Sequence, residues 1–403
     1  MRKLNDICNV ITCGVAKRPE YYDDGIPFLS SKNVKSDRFL LNDYKYVSKE
    51  DFLSLTKNNK PEKGDILYTR VGSFGEAAVI DFDFDFAIFV SLTLIKPKND
   101  IVLSRYLMHY LNSPKIKHLA KNSTSGVGVQ NLNVKVVREF PIQLPPLDQQ
   151  KKIAATLDAA DAYRQKTKAL IEKYDELLNS IVYQCLGDSL NKDLKNIKSG
   201  SKEFLEDGYS WYSLDEITEL IADIDHKMPK SVEKGKIFLS AKDLSDNGEL
   251  DFSNPKFISE EDFKHLSRKV KPKKLDIIYS RIGAKLGKAR LVKTDHDFIV
   301  SYSCCTVRPK QDIVAPLYLK YILDSEATLR QASHGTRGIG VPDLGMGEIR
   351  TFKIPVPEKS ISKKIVNQLE RIEAQKAQAQ ASLAQAEDLF NSLLQRAFKG
   401  ELS

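Results

Sequence analysis

The chain has 403 residues, 41% apolar and 29% charged, with a net charge of +8. That is enough apolar material to bury a core in each of two or three domains, which excludes a disordered or fibrous chain. No run of about 18 uncharged apolar residues occurs and MRKLNDICNV has no secretory-type apolar stretch, so the sequence reads as cytoplasmic with no membrane span. The positive balance favours a polyanionic partner, because a lysine or arginine that neutralises a phosphate releases condensed counterions. The five cysteines, Cys8, Cys13, Cys185, Cys304 and Cys305, match neither a CxxC pair nor a zinc spacing and read as reduced and structural.

In residues 1–147 the apolar positions form short β-branched and aromatic runs, some alternating as in Ser91-Leu92-Thr93-Leu94, with Gly, Pro and Asp between them. This pattern predicts a strand-rich module with a few short helices, one of them over 104–112. The module ends at Leu144-Pro145-Pro146-Leu147. A helix over 148–186 follows, with Ile153, Leu157, Ala160, Ile171, Tyr174, Leu178 and Ile181 on a four-three spacing and Arg164 and Thr167 in the same seam.

Residues 187–208, rich in Lys, Asn, Ser and Gly, read as a linker. A second strand-rich module spans 209–358, with a helix over 316–324 whose proline near the start is well tolerated. Its exit is Ile354-Pro355-Val356-Pro357. The helix over 359–398 carries Ile365, Leu369, Ile372, Ala379, Leu383, Ala386, Phe390 and Leu393, with Lys376 in the seam, and 399–403 is a tail. At about 1.5 Å per residue each helix makes a rod roughly 50 Å long.

The second half repeats the first. Gly25-Ile26-Pro27-Phe28-Leu29-Ser30 returns as Gly235-Lys236-Ile237-Phe238-Leu239-Ser240, Asp65-Ile66-Leu67-Tyr68-Thr69-Arg70-Val71-Gly72 as Asp276-Ile277-Ile278-Tyr279-Ser280-Arg281-Ile282-Gly283, and Gly126-Val127-Gly128-Val129 as Gly338-Ile339-Gly340-Val341. A repeat this long is a duplicated domain, not a solenoid unit. The expected fold class is α+β: two strand-rich α/β modules related by pseudo-two-fold symmetry and separated by two long helices in an antiparallel coiled coil.

Catalytic motifs are missing. Gly283-Ala284-Lys285-Leu286-Gly287-Lys288-Ala289 is one residue too short for a P-loop and ends in alanine. Asn254-Pro255-Lys256-Phe257 lacks the second proline of an amino-methyltransferase tetrad, and no glycine-rich cofactor loop accompanies it. Asp343 with Glu348 lacks the lysine of a nuclease site, and the six histidines pair with nothing recognisable.

The two-copy plan, the Asp-Ile-Leu-Tyr-Thr-Arg-Val-Gly strand at 65–72 and its copy, the Leu-Pro-Pro-Leu exit before Gln149-Gln150-Lys151-Lys152-Ile153, and the ending Ala397-Phe398-Lys399-Gly400-Glu401-Leu402 resemble type I restriction-modification specificity subunits over essentially the whole chain. The resemblance implies a non-catalytic subunit of a phage-defence complex. Each module would be a target-recognition domain reading half of a bipartite, asymmetric double-stranded DNA site, with the helices fixing the unread spacer. It implies two methyltransferase subunits carrying S-adenosylmethionine and, in the restricting complex, two restriction subunits using ATP with Mg, with no cofactor in this chain. Two rivals stand beside it: a duplicated adaptor that binds proteins, and a degenerate DNA-modifying enzyme. The second exit, Val356-Pro357-Glu358-Lys359-Ser360, departs from the first, so the two helix starts are not expected to dock partners identically.

If the modules read DNA, residues kept in both copies suit phosphates or scaffold, and residues that differ suit bases. Lys32 and Lys242 recur, followed by Asn33 and Asp243. Arg70 and Arg281 recur as well, for phosphate positioning or for a shared structural ion pair. Ser73 stands against Ala284 beside Lys285, and Ser125, Gln130 and Asn131 stand against Arg337, Pro342 and Asp343. Gln or Asn can grip adenine and Arg or Lys guanine, each worth about 1–3 kcal/mol of discrimination.

Overall fold

The computed structural model describes residues 2–15, 18–72, 74–124, 131–186, 208–226, 228–337 and 341–402. They form two compact units, one from residues 1–168 with 381–403, the other from 169–380. The division cuts through both long helices, Leu147–Leu186 and Lys359–Lys399. The reason is where the seam residues are buried. Ile153, Leu157, Leu394 and Phe398 share a core with the first module, whereas Leu178, Val182, Ile365 and Leu369 share one with the second. In each unit the start of one helix is therefore packed with the end of the other, an antiparallel pairing. The linker read over 187–208 lies outside the described residues, apart from Gly208.

In the first unit a four-stranded antiparallel sheet runs in the order Cys8–Cys13, Leu92–Pro97, Ile66–Thr69, Ala77–Val79. A smaller sheet sets Ile26–Leu29 between antiparallel Lys45–Val47 and parallel Ala87–Ile88. The second unit repeats both. Its larger sheet runs Thr218–Ala222, Cys304–Pro309, Ile277–Ser280, Ala289–Leu291, and its smaller one sets Lys236–Leu239 between Lys256–Ile258 and Phe298–Val300. Even the irregularity is copied: the register slips at Lys96/Pro97 against the first strand and at Thr218/Leu220 in the second unit.

The predicted short helices form at Ser104–Leu111 and Pro316–Leu323. Each sends a tyrosine hydroxyl to a carbonyl of the module's exit segment, Tyr106 to Gln143 at 2.9 Å and Tyr318 to Pro355 at 2.6 Å. Each of these buried hydroxyls thereby finds an acceptor within its own module.

The two polar interruptions of the helical seams each meet a carboxylate. In the first unit the Arg164 guanidinium pairs with Asp161 and lies 4.2 Å from the Phe390 ring centroid. In the second unit Lys376 pairs with Asp175 of the facing helix. The helix start at 147 is fastened by Gln150, which is buried; its Oε1 accepts from the Leu103 amide at 2.9 Å and its Nε2 donates to the Ile101 and Pro145 carbonyls.

Each module is also tied to its helices by charge. In the first unit Arg105 bridges Asp37 and Asp158, and His109 Nε2 lies 2.6 Å from Asp158. Burial pushes the Asp158 carboxyl up, but hydrogen bonds from His109 and Arg105 outweigh it and hold it below the usual range. In the second unit Lys293 joins Glu249 to Glu373, and the Tyr321 hydroxyl donates to Glu373 at 2.8 Å.

Candidate nucleic-acid interface

The first shared feature is a tight turn after the strand Ile26–Leu29. The Ser30 amide donates to Asn33 Oδ1 at 2.9 Å, and the Asn33 Nδ2 protons go to the carbonyls of Leu40 at 3.0 Å and Asp43 at 2.7 Å. Asn33 is therefore buried and holds the turn together, while Lys32 beside it is exposed. The second unit builds the same turn with a carboxylate: Asp243 Oδ2 accepts from the Ser240 amide at 2.8 Å and its hydroxyl at 3.0 Å, and Lys242 is exposed. The sequence offered Asn33 and Asp243 as DNA contacts, and the structure engages both side chains within the turn. Their residue type fits a base reader, while local hydrogen bonding engages Asn33 through both ends of its amide and Asp243 through Oδ2.

The second feature abuts the first. The Ser31 amide donates to Ser91 Oγ and the Arg70 amide to the Ser91 carbonyl, both at 3.0 Å, so the turn and the end of Ile66–Thr69 meet at one residue. Beyond Arg70 the chain reverses through Gly72 and Gly75, at φ of 76° and 88°, a region that disfavours other side chains. Gly283 and Gly287 do the same in the second unit at 90° and 86°, one residue farther apart, where the sequence places an insertion. The Leu132 amide donates to the Arg70 carbonyl, and exposed Asn131 bridges to Val71. Likewise Leu344 donates to Arg281, and Asp343 bridges to Ile282. Lys285 is half-buried and donates to the Leu244 carbonyl at 2.7 Å, tying this loop to the Lys242 turn.

The two recurring arginines are both buried but do different work. Arg70 donates to the carbonyls of Leu132 at 2.9 Å and Val90 at 3.0 Å. Arg281 pairs with Asp343 at 2.8 Å and with buried Asp223 at 3.3 Å. The ion pair is thus not shared, because the residue 210 positions before Asp223 is Cys13. Neither guanidinium is presented to a phosphate in these arrangements. Arg337 sits in the short strand Thr336–Arg337 opposite Asp343 and its side chain lies outside the described residues, as do Ser73, Ser125 and Gln130 and the glycine loops at 126–128 and 338–340.

Each unit thus carries, along one edge of its sheets, an exposed lysine turn, a glycine-turned loop and a returning segment whose residues differ between copies. The model for the type I restriction modification DNA specificity domain matches residues 1–173 and again 223–387. The chain belongs to that family.

Among relatives of this specificity subunit is the EcoBI specificity subunit of Escherichia coli, 25% identical over 329 residues, 77% of this chain and 68% of the relative. The EcoKI specificity subunit of Escherichia coli (strain K12) is 22% identical over 94% of this chain and 83% of its own length. The fold is that of a type I S subunit from M. genitalium, with a TM-score of 0.59, 16% identity, and 98% and 95% of the two chains covered. A chain from a study of the assembly and conformational transition of the type I system aligns with a TM-score of 0.55, 15% identity and coverage of 100% and 97%. Like the subunits of this family, the chain is a non-catalytic specificity subunit that binds DNA and assembles with the other subunits of a restriction-modification system.

Asp37, His109 and Asp158 converge closely enough to hold an ion. Arg105 already supplies their positive charge, so they act as a tie between module and helix. Among the described residues no helix is long and apolar enough to cross a membrane. Sequence reasoning passed over the cluster around Asp223, which receives Arg281, Lys269 at 3.1 Å and His226 at 3.3 Å. The available signal was that Asp223, His226 and Lys269 replace Cys13, Ala16 and Asn58 of the first copy.

Proposed function

We propose that each module reads one half of a bipartite, asymmetric DNA site through the edge just described, and that the paired helices set the unread spacer. Lys32 and Lys242 contact phosphates. Asn131 in the first module, and Lys285 and Asp343 in the second, contact bases, with asparagine suited to adenine, lysine to guanine and a carboxylate to the amino group of cytosine. Asn33, Asp243, Arg70 and Arg281 shape the loops that carry them. Two methyltransferase subunits supply S-adenosylmethionine chemistry, and in the restricting complex two further subunits supply ATP- and Mg-dependent cleavage. The supporting observation is that the two lysine turns are built alike while the residues beside them differ, the pattern needed by two readers of unlike half-sites.

The test is a binding titration of the subunit assembled with its methyltransferase partner, on DNA duplexes at several salt concentrations. The double variant K32A/K242A is expected to bind all duplexes more weakly by a similar factor. The slope of log affinity against log salt should be shallower by about 2 units, since each phosphate contact contributes about 0.9. Unchanged affinity and slope would remove both lysines from the interface.

A further inference from the structure

The duplication supplies an internal control for the cluster at Asp223. Its side chain, 7% exposed, faces Arg281, Lys269 and His226. A carboxylate with cations around it is costly to bury and is not required for the fold. The first module forms the same sheets in the same register with Cys13 in that place; Arg70 and Arg281 both donate to the carbonyl of the returning segment, Leu132 or Leu344, and Arg281 adds the carboxylate of Asp223.

What the cluster does is hold an exposed ring. His226 is 62% exposed, its Nε2 lies 3.3 Å from Asp223 Oδ2, and its ring stacks on Tyr302 at 4.8 Å between centroids and 22° between planes. Tyr302 is again particular to this copy, since the first has Val90. With Nε2–H donating to the carboxylate, Nδ1 is left to accept a hydrogen bond, the ring plane being fixed by Tyr302. Through Arg281 the same cluster reaches Asp343, whose side chain is 55% exposed.

We propose that His226 is a base-reading residue of the second module, positioned by Asp223 and Tyr302, and that it accepts from an exocyclic amino group of adenine or cytosine. The proposal rests on the reading that this edge faces DNA. Asp223 and Tyr302 are positioning residues and do not touch the base.

The experiment is single-molecule sequencing of genomic adenine methylation in cells carrying the whole system with wild-type, H226A or H226Q subunit. Both variants are expected to keep one half of the bipartite motif intact and to relax a single position of the other half. Methylation at sites mismatched there should rise about 10-fold relative to matched sites, within the roughly 5- to 150-fold span of one base contact. A wild-type motif that both variants methylate unchanged overturns the role of His226 alone. So does a uniform loss with no relaxed position, which marks a structural role. No bipartite motif in the wild type would bring down the underlying reading, and this inference with it.

Discussion

Replacing Asp223 by alanine is expected to lower the melting temperature of the second unit by roughly 6–12 °C in differential scanning calorimetry. The substitution leaves the Arg281 guanidinium, only 5% exposed, without one of its two carboxylates. Removing one partner of a buried ion pair costs about 3–5 kcal/mol, and the surviving contact to Asp343 places this case near 3. For a unit of this size each kcal/mol shifts melting by about 2–4 °C. The matching change in the first unit, Cys13→Ala, removes no charge partner and should cost less than about 1 kcal/mol. Equal shifts for the two variants would show that the Asp223 cluster does not carry the energy assigned to it.

Lys320→Met is expected to act in the opposite direction and stabilise the second unit. Lys320 is 4% exposed, its ammonium lies 3.6 Å from the Tyr321 ring centroid, and burial pushes its pKa down to about 8, against the raising influence of Asp324 and Glu373. In the first unit the same position is Met108, fully buried. A depression of this size corresponds to about 3 kcal/mol of unfavourable burial at neutral pH. Because the unfolded lysine binds its proton more tightly, the unfolded state carries more protons between about pH 8 and 10. Wild-type stability therefore rises with pH across that window. K320M should gain about 2 kcal/mol at pH 7, part of the cost being already offset by the cation–π contact, and should lose that pH dependence. Denaturant titrations at pH 7 and 9.5 measure both, and a variant less stable than wild type at pH 7 would refute the assignment.

The duplication was legible because each repeated residue answers a repeated backbone need. Tyr106 and Tyr318 cap the same carbonyl position, and Ser48 and Ser259 cap the same short helix. The helical seams were legible from spacing, including their polar interruptions. The division into units was not, since it depends on which core each half of a helix joins. At the candidate edge, residue type alone does not show which side chains are buried. Asn33 has the chemistry of an adenine reader but spends it on Leu40 and Asp43. Arg70 and Arg281 look equivalent in sequence, yet Arg281 gains a carboxylate because Asp223 stands where the first copy has Cys13, a position far from either arginine along the chain. His226 went unnoticed because, although Asp223 lies only three residues before it, the stacking Tyr302 is brought beside it by the fold alone.

Whether this subunit directs adenine methylation to one two-part DNA sequence is read out by sequencing genomic methylation in the host with and without the gene. Deletion is expected to abolish methylation at a single bipartite motif and to leave other methylation intact. No change, in cells that express both the subunit and its methyltransferase partner, would contradict it and favour a duplicated adaptor that binds proteins.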